Sequence, residues 1–443
     1  MENNILFWHR RDLRLEDNHG LFKALNSGEK VVSLFLFDST ILARLKPDDQ
    51  RILFIHQEIT RLKSEYQNVG SDLMVYFGNP IELLPKICAE FSIQKVVVNR
   101  DYEPYALQRD AAIFELLKDK NIDFVGAKDH VVFEKQEVVK DDGKPYTVFT
   151  PYSRKWKARL TDADLAAFPS EKQLNNLRTF QEKQHLISIQ TLGFTGVKTV
   201  DFPAKSVNQT LVSKYSEQRD FPAIIGTSRL GVHLRFGTIS VRALARQAKE
   251  LNETFLNELI WRDFYQMIIF HFPLSAEHSF KPIYDRIPWD NNELHFKAWC
   301  EGKTGYPLVD AGMRELNATG HMHNRVRMVV ASFLTKHLLI DWRWGATYFA
   351  EKLLDFELAS NAGGWQWASG SGCDAAPYFR IFNPALQLDK FDKQMVYVKK
   401  WVPEFGTNSY PQPIVEHATT TKRTIAIYKE TLNAHLITNT HNS

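Results

Sequence analysis

The N-terminal part of the chain alternates short apolar segments with helical patterns, and this alternation restricts the possible folds more than any other feature. Five segments have the length and apolar content of buried strands: Ile5 to Trp8, Val31 to Phe37, Leu73 to Phe77, Lys95 to Val98 and Ile122 to Val125. Strands separated by helical stretches are typical of a parallel sheet with crossover helices. The sequence therefore predicts a doubly wound α/β domain over residues 1–130.

Polar residues after the first two predicted strands indicate where this domain offers a ligand crevice. His9-Arg10-Arg11-Asp12 follows the first strand and Asp38 follows the second. Ligands of open α/β sheets bind at the carboxyl ends of the strands, where these residues should lie. A GxGxxG phosphate loop is absent from the sequence, so we do not expect a dinucleotide in this domain.

The pattern changes twice in the rest of the chain. Residues 131–200 are mixed polar sequence with Pro145, Pro151 and Pro169, and they are predicted to be an ordered connector between domains. Three later segments have apolar residues three and four positions apart, as in packed helices: Phe255 to His271, Tyr306 to Thr319 and Val326 to Leu339. Residues 201–443 are therefore predicted to form a larger, all-helical domain.

Composition excludes several classes of protein. The three cysteines are far apart, so they cannot form a disulfide framework or a four-cysteine metal site, and a reducing cytosol is expected. We expect no metal, and no membrane span because no segment approaches about 18 uncharged apolar residues. The net charge of +3 neither requires nor excludes a nucleic-acid partner.

Seven of the ten tryptophans lie between Trp261 and Trp367. Tryptophan can stack on a nucleobase, and its indole is oxidisable enough to pass an electron to a neighbouring ring. The alternative is a helical core that uses indole for packing. The polar residues near these tryptophans favour a functional role.

Glu258, Trp261 and Arg262 are spaced so that a helix shows all three on one side. A carboxyl group beside an exposed ring can bind a base, because the ring stacks on it while the carboxyl group bonds to its edge. The alternative is a surface Glu–Arg pair over a core tryptophan.

Asn324 and Met328 are four residues apart, and a neutral amide beside a thioether suits a pocket for an uncharged ligand edge. Arg327 lies just off that face and can pair with Asp355, which would bridge two helices. Near Gly226, the hydroxyls of Thr227-Ser228 precede a helical run. They can cradle a phosphate or simply cap the helix.

Taken together, several long motifs of this chain resemble the photolyase/cryptochrome family. The motifs are Phe7-Trp8-His9-Arg10-Arg11-Asp12-Leu13-Arg14 with Asp17-Asn18, Gly226 to Leu230, Glu258 to Arg262, Glu301-Gly302-Lys303-Thr304-Gly305-Tyr306-Pro307, His323-Asn324-Arg325, Trp365-Gln366-Trp367 and Phe379-Arg380-Ile381-Phe382-Asn383-Pro384. They occur in the family's order and span nearly the whole chain.

The resemblance implies an α/β domain for an antenna chromophore, a helical domain that holds FAD in a folded conformation, and chemistry driven by blue light. Carried over by motif, the FAD contacts are Tyr215, Thr227, Ser228, Arg229, Leu230, Glu258, Arg262, Arg327, Asp355, Glu357 and Asn361. Asn361 should face flavin N5, where a neutral amide stabilises the reduced ring without acting as an acid. The antenna chromophore can be methenyltetrahydrofolate, a deazaflavin or a second flavin.

The lesion pocket indicates the subfamily. The Asn324 and Met328 pair is similar to class I cyclobutane pyrimidine dimer enzymes, whereas (6-4) photoproduct enzymes of the animal-like branch carry two histidines there. By resemblance, the residues that bind a flipped dimer are Glu258, Trp261, Asn324, Met328 and Trp367, and Glu258 stabilises the dimer radical anion. The electron chain from flavin to surface is Trp365, Trp342 and Trp289, and the phosphate contacts are Arg219, Arg325 and Arg380.

The resemblance thus implies a monomeric, cytoplasmic deoxyribodipyrimidine-splitting enzyme whose partner is UV-damaged DNA. Two alternatives share most of these motifs: a blue-light receptor of cryptochrome type and a single-strand-specific relative. The receptor is disfavoured by Asn361, because plant-type receptors carry aspartate there, and by the short segment of about thirty residues after Pro411. The single-strand-specific enzymes should differ within the pocket.

Overall fold

The structure, a computed structural model, describes residues 3–198 and 200–440. A parallel sheet is formed by β1 (Asn4–His9), β2 (Lys30–Asp38), β3 (Leu73–Gly78), β4 (Ile93–Asn99) and β5 (Asp123–Ala127). The strand order is β3-β2-β1-β4-β5, and every neighbouring pair is parallel. All five predicted strands are confirmed, and so is the doubly wound α/β fold.

Both faces of this sheet are covered, which explains why its strands are almost continuously apolar. In β1, Ile5 and Phe7 belong to one buried apolar cluster, whereas Leu6 and Trp8 belong to another. Successive side chains of a strand point to opposite faces, so each cluster lies on its own side of the sheet. The apolar run predicted from sequence is therefore a consequence of burial on both faces.

Helices separate and follow these strands. In chain order the α-helices are α1 (His19–Leu25), α2 (Ser39–Leu42), α3 (Arg51–Asn68), α4 (Pro80–Glu90), α5 (Pro104–Lys118), α6 (Phe149–Arg159), α7 (Gln209–Ser213), α8 (Tyr215–Gln218), α9 (Gly231–Phe236), α10 (Val241–Leu251), α11 (Glu253–His271), α12 (Glu293–Glu301), α13 (Pro307–Thr319), α14 (Asn324–Ser332), α15 (Trp342–Lys352), α16 (Leu358–Ser369), α17 (Pro384–Phe391), α18 (Val396–Trp401) and α19 (His417–Thr440). Beyond β5, the described residues form no further strand.

Two of the three predicted helices are confirmed as α11 and α13, and the third is wrong in its second half. Helix α14 ends at Ser332, and a π-helix over Phe333–His337 follows it. The backbone N–H of Leu338 bonds to the carbonyl of Phe333 at 3.1 Å. A π turn holds one residue more than an α turn, and apolar spacing does not reveal that extra residue.

The predicted connector is more regular than the sequence indicates, because α6 lies within it. Pro151 is the third residue of that helix, in the first turn, where a backbone N–H has no partner within the helix. Two 3₁₀ helices follow at Ser170–Lys172 and Leu174–Asn176. Pro151 therefore lies within a helix and does not mark a break in regular structure.

The chain packs as two compact units, each interrupted in sequence. The first unit comprises the described residues of 1–144, 153–207 and 229–270, and the second those of 145–152, 208–228 and 271–443. The domain boundaries predicted at residues 130 and 200 stay predictions, and the packing divides the chain along other lines.

Specific contacts explain why α9, α10 and most of α11 pack in the first unit. The guanidinium of Arg242 bonds to Asp17 and Asp129, each at 2.8 Å, in a buried network. Gly237 has φ 61°, and a Cβ there would lie 2.0 Å from the carbonyl oxygen of Arg11. Only glycine fits this approach of two backbone segments.

The second unit has its own helical core. Its largest buried apolar cluster contains Trp299, Trp342 and Trp365 together with aliphatic residues of α13, α14 and the π-helix. In the part of the chain that the structure describes, no helix is both long and apolar enough to cross a membrane.

Candidate functional site

Helix α14 carries two of the predicted lesion contacts near its start. Its N-cap residue is His323, whose ring Nδ1 accepts a hydrogen bond from the backbone N–H of Arg325 at 3.2 Å. Burial lowers the pKa of His323 to about 4, so the ring is neutral at physiological pH and keeps a lone pair for this bond. Asn324 is exposed, and its Nδ2 lies 4.0 Å from Sδ of Met328. The two side chains therefore meet on one face of α14, as predicted.

Arg325, a predicted phosphate contact, is held by three neighbours. Its Nη2 lies 2.7 Å from Oδ1 of Asp220, and its Nη1 lies 3.8 Å from Sδ of Met328. Its guanidinium carbon lies 4.4 Å from the ring centroid of Phe391, within cation–π distance. The Arg325 side chain is only 18% exposed, so it is part of the protein's own packing.

Arg327 and Asp355 form the ion pair that their spacing predicts. Nη2 of Arg327 lies 2.9 Å from Oδ2 of Asp355, and its Nε donates to the carbonyl of Met322 at 2.7 Å. Burial raises the pKa of Asp355, but the Arg327 guanidinium and then His321 outweigh it and hold that pKa below its usual value. Asp355 is therefore ionised, and its ion pair with Arg327 joins α14 to the segment before α16.

Two predicted flavin contacts lie at helix α16: Asn361 is within the helix, and Glu357 is its N-cap residue. The buried carboxylate of Glu357 accepts a hydrogen bond from the hydroxyl of Ser360 at 3.1 Å. Nδ2 of Asn361 donates to the carbonyl of Ala346 at 3.0 Å, which fixes the plane of the amide. Apart from its own helix, no described atom lies within 4 Å of where a Cβ on Gly364 would be. The helix thus presents bare backbone one turn from an oriented neutral amide.

The two tryptophans of α16 differ in exposure. Trp365 is buried, and its ring centroid lies 6.0 Å from that of Trp299. A Cβ on Gly345 would lie 2.1 Å from the Trp365 ring, so glycine is required where this ring meets the backbone of α15. Trp367 is half-buried, with its ring centroid 6.4 Å from that of Phe382. The Trp365 ring is therefore part of the core, whereas the Trp367 ring keeps exposed surface that a ligand could contact.

The predicted electron relay lies within one aromatic region. Trp342 and Trp365 belong to the same buried cluster, and Trp289 packs against it. Trp289 is half-buried, and its ring meets Tyr428 edge to face at 6.2 Å. The order of electron transfer through these rings stays a prediction.

Helix α11, in the first unit, carries Glu258 and Trp261. The half-buried Trp261 ring lies 5.5 Å from Tyr265, four residues along the helix, at an interplanar angle of 30°. Phe264 packs edge-on against it at 5.7 Å. Arg262 is buried whereas Trp261 is partly exposed, so a surface Glu–Arg pair over a core tryptophan does not describe this helix.

Arg262 and Asp263 anchor α11 within the first unit. Nη1 of Arg262 donates to the carbonyl of His130 at 2.5 Å. One oxygen of Asp263 accepts hydrogen bonds from the backbone N–H of Phe133 at 3.1 Å and from the indole of Trp156 at 3.0 Å. Burial raises the pKa of Asp263 to about 6, although these bonds oppose the shift.

The Gly226 to Leu230 motif is a loop in which one residue must be glycine. A Cβ on Gly226 would lie 2.7 Å from the carbonyl oxygen of Gln218. The N-cap residue of α9 is Leu230, and α9 has no side-chain cap. Of the two alternatives for Thr227 and Ser228, capping of the helix is therefore excluded, and both residues precede the N-cap.

The remaining predicted contacts lie in or next to loops. Arg229 is exposed and left-handed, with φ 54°. Arg219 follows α8, and its guanidinium carbon lies 6.0 Å from the ring centroid of Tyr215. Arg380 is exposed in the segment before α17. Arg219 and Arg380 remain predicted phosphate contacts.

The polar residues at the carboxyl edge of the sheet largely bind each other. The Asp12 carboxylate accepts from the backbone N–H of Arg10 at 2.7 Å and from Nδ2 of Asn99 at 2.5 Å. Asp38 caps α2 and accepts from the hydroxyl of Tyr105 at 2.7 Å. The switch point of the strand order lies here, between β1 and β4, and the predicted second-chromophore crevice at this edge stays a prediction.

Three residues contribute contacts to these sites that were not predicted from the sequence. Tyr265 is four residues from Trp261, a spacing that could have revealed the ring contact. His323 could have been recognised as a cap before a helical run. Asp220 is 105 residues from Arg325, and no local pattern indicates that pairing. Among the described residues, no group of three or more His, Cys, Asp or Glu is arranged to hold a metal ion.

Two protein-family models match the chain. The DNA photolyase model matches residues 5–172, and the model for the FAD binding domain of DNA photolyase matches residues 255–409. The deoxyribodipyrimidine photo-lyase of Synechococcus sp. is 36% identical, covering 96% of each chain. The deoxyribodipyrimidine photo-lyase of Escherichia coli is 37% identical, covering 96% of this chain and 98% of its own.

Solved structures agree with the fold along nearly the whole chain. A class III photolyase from Agrobacterium tumefaciens has a TM-score of 0.87 at 32% identity, covering 98% of both chains. A photolyase from Sulfolobus tokodaii with two FAD molecules has a TM-score of 0.80 at 32% identity, covering 96% of this chain and 100% of its own. A cryptochrome from Synechocystis sp. has a TM-score of 0.82 at 27% identity, covering 96% and 99%.

A doubly wound sheet followed by a helical, tryptophan-rich region with a flavin-binding motif set defines a flavoprotein of the photolyase/cryptochrome class. The chain belongs to the DNA photolyase family. It is an enzyme of the photo-lyase type, and its cofactor is FAD.

Proposed function

We propose that this protein splits cyclobutane pyrimidine dimers in UV-damaged DNA, using light and reduced FAD. The observation that carries the proposal is the start of α14, where Asn324 and Met328 present a neutral amide and a thioether 4.0 Å apart. Both can bind an uncharged base edge, and neither is an acid that would protonate the substrate. The relatives named deoxyribodipyrimidine photo-lyase support the same substrate class.

The residues of α14 and α16 suit a flavin. Gly364 leaves bare backbone that a flat ring system can approach. The amide of Asn361, fixed by the carbonyl of Ala346, can offer its oxygen to a ring N–H and cannot act as an acid. Bound FAD supplies the light-excited electron donor. The further proposed contacts are Tyr215, Thr227, Ser228, Arg229, Leu230, Glu258, Arg262, Arg327, Asp355 and Glu357.

The proposed lesion contacts also include Glu258, Trp261 and Trp367. Both indole rings are half-buried, so each keeps apolar surface against which a base can pack. Tyr265 supports one of them and limits its rotation. Glu258 is proposed to bond to the edge of the flipped dimer and to stabilise the charge that forms there.

Trp365, Trp342 and Trp289 are proposed to return electrons from the surface during photoreduction. Burial of Trp365 and Trp342 keeps water from their rings, whereas the half-buried Trp289 is the most exposed of the three rings. This ordering supports the route implied by the family. It serves activation of the resting cofactor and is not needed for each repair cycle.

Damaged DNA is proposed to be anchored through Arg219, Arg325 and Arg380, which would contact phosphates without reading sequence. The monomeric state and cytoplasmic location remain predictions. A second chromophore is also proposed. The Sulfolobus structure with two FAD molecules supports a flavin as one candidate, beside methenyltetrahydrofolate and a deazaflavin.

A blue-light receptor of cryptochrome type is the second candidate. The similarity of the fold to the Synechocystis cryptochrome favours it. A receptor would use the same flavin and relay tryptophans without splitting a dimer. The lesion pocket on α14 would then have no substrate.

The deciding experiment gives reduced holoprotein a thymine dimer in duplex DNA and the same dimer in single-stranded DNA, under blue light and in the dark. We expect light-dependent loss of the dimer in the duplex. Splitting confined to single strands would move the protein to the single-strand-specific branch. Light-dependent changes of the flavin without any splitting would favour the receptor.

A further inference from the structure

We propose that Asp220 is a positioning residue that pairs with Arg325, weakens the contact of Arg325 with the DNA backbone and thereby increases discrimination between damaged and undamaged DNA. This inference rests on the function proposed above. Asp220 follows α8, where sequence analysis assigned no role to it.

The contact is short and partly withdrawn from solvent. Oδ1 of Asp220 lies 2.7 Å from Nη2 of Arg325, and the two side chains are 37% and 18% exposed. Such a pair is less screened than one on an open surface, although solvent still weakens it. Arg325 therefore reaches the surface as half of an ion pair.

An aromatic contact fixes the position of this pair. Phe221, the neighbour of Asp220, packs edge-on against Phe391 with ring centroids 6.3 Å apart. The guanidinium of Arg325 lies over the same Phe391 ring at 4.4 Å. Both partners of the ion pair are thus tied to one ring of α17, which limits how far either can move.

The pair also adjoins the proposed lesion pocket. Nη1 of Arg325 lies 3.8 Å from Sδ of Met328, and Met328 contacts Asn324. If Asp220 is neutralised, Arg325 gains freedom to leave Met328 for a phosphate. The pocket would then lose support on one side while the surface gains a mobile cation.

These two effects act differently on the two kinds of DNA. Binding of undamaged DNA depends on cations that displace the counterions of phosphates. An arginine paired with a carboxylate displaces fewer of them. Binding of a dimer gains from the same cation, but it also needs the pocket that Arg325 supports through Met328, so neutralising Asp220 raises affinity for the dimer less. Asp220 therefore lowers affinity for undamaged DNA more than affinity for the lesion.

The test measures binding of holoprotein to two duplexes that differ only in one thymine dimer, over a series of salt concentrations. The variants are Asp220→Asn, Arg325→Gln and the double variant, with Asp119→Asn as a matched charge change at an exposed residue of the first unit. Asp220→Ser is a second neutral variant. Flavin absorbance per protein and the thermal midpoint establish that each variant is folded.

For Asp220→Asn we expect tighter binding of undamaged duplex, a salt dependence steeper by about 0.9 in the log–log slope, and a several-fold fall in the damaged-to-undamaged affinity ratio. In the Arg325→Gln background the same substitution should change nothing, because Asp220 acts through Arg325. Asp119→Asn should leave the ratio unchanged.

An unchanged ratio in both Asp220 variants would overturn the inference. So would an equal effect of Asp220→Asn with and without Arg325, or an equal effect of Asp119→Asn. If the wild-type protein itself showed no preference for the dimer, the proposed function would fail instead. The two failures are therefore distinguishable.

Discussion

The carboxyl edge of the sheet and the faces of α14 and α16 use similar polar residues in opposite ways. At the sheet edge, Asp12 and Asn99 are buried and bond to each other. On the helices, Asn324 is exposed and Gly364 leaves open backbone. An amide thus serves the fold in one region, whereas in the other an amide remains exposed to a ligand.

Burial explains the difference. A buried polar group must be hydrogen-bonded, because an unsatisfied one costs free energy. The polar groups of the His9-Arg10-Arg11-Asp12 motif after β1 are therefore largely bonded to other groups of the protein. The less conspicuous Asn324 and Met328 pair is the better candidate for binding, since a partly exposed pair can exchange water for substrate.

Replacing Trp365 by Phe should abolish photoreduction of oxidised flavin, the largest effect that we expect. Phenylalanine is much harder to oxidise, so the first ring of the relay would be lost while packing survives. Trp8→Phe, at a buried tryptophan of the sheet, is the matched control and should photoreduce normally. The measurement is the rate of light-driven bleaching of flavin absorbance with a thiol reductant.

Repair by chemically reduced Trp365→Phe should persist, because the relay only restores the resting electron. Photoreduction at the wild-type rate would show that electrons reach the flavin by another path. It would also remove the functional contrast between tryptophans of the two regions.

Asp12→Ala should lower the free energy of unfolding by about 2 to 6 kcal/mol, because the N–H donors of Arg10 and Asn99 each lose a partner at a cost of about 1 to 3 kcal/mol. The preference of the remaining folded protein for a dimer should not change. Denaturant titration and dimer binding measure the two quantities. A lost preference at full stability would mean that the sheet edge takes part in lesion recognition.

Asp263 should make stability depend on pH. Its folded pKa of about 6 lies above the unfolded value of 3.8, so the folded state holds this proton more tightly. The resulting stabilisation is present below the unfolded pKa and is lost as pH rises through 6. Asp263→Asn lacks this loss, so its stability relative to wild type should grow by up to about 3 kcal/mol between pH 4 and pH 7. Parallel denaturation curves of both proteins across this range test the prediction, and a constant difference would contradict it.

Glu258→Ala should weaken dimer binding by about 1 to 3 kcal/mol, because polar atoms of the bound dimer would lose a partner. Binding of undamaged DNA should stay near wild type, and the two proteins are compared at equal flavin content because Glu258 is also a proposed FAD contact. Glu253→Ala is the matched control on the same helix. Equal losses for the two variants would assign the effect to charge and not to the pocket.

The sequence predicted all five strands and the helices α11 and α13, because each depends on local periodicity. The strands follow from apolar runs, and the two helices from helical spacing. It did not predict α6, which lies in a segment without clear periodicity, or the π-helix after Ser332, where the extra residue changes hydrogen bonding without changing composition.

For the site, sequence predicted pairs that are close along one helix or carry opposite charge. Asn324 with Met328 and Arg327 with Asp355 are examples. It could not predict that Asp220 holds Arg325, because that pairing depends on how distant segments pack. Resemblance to a family predicts which residues matter, and the packing shows what several of them contact.

The quantum yield of thymine-dimer splitting by reduced wild-type protein on duplex DNA tests the proposed function, with a duplex carrying a (6-4) photoproduct as the comparison. We expect efficient light-dependent splitting of the dimer and none of the (6-4) product, since by resemblance Asn324 and Met328 occupy the positions where (6-4) enzymes carry two histidines. A dimer yield equal to that of the dark control, or repair of the (6-4) product instead, would contradict the proposed function.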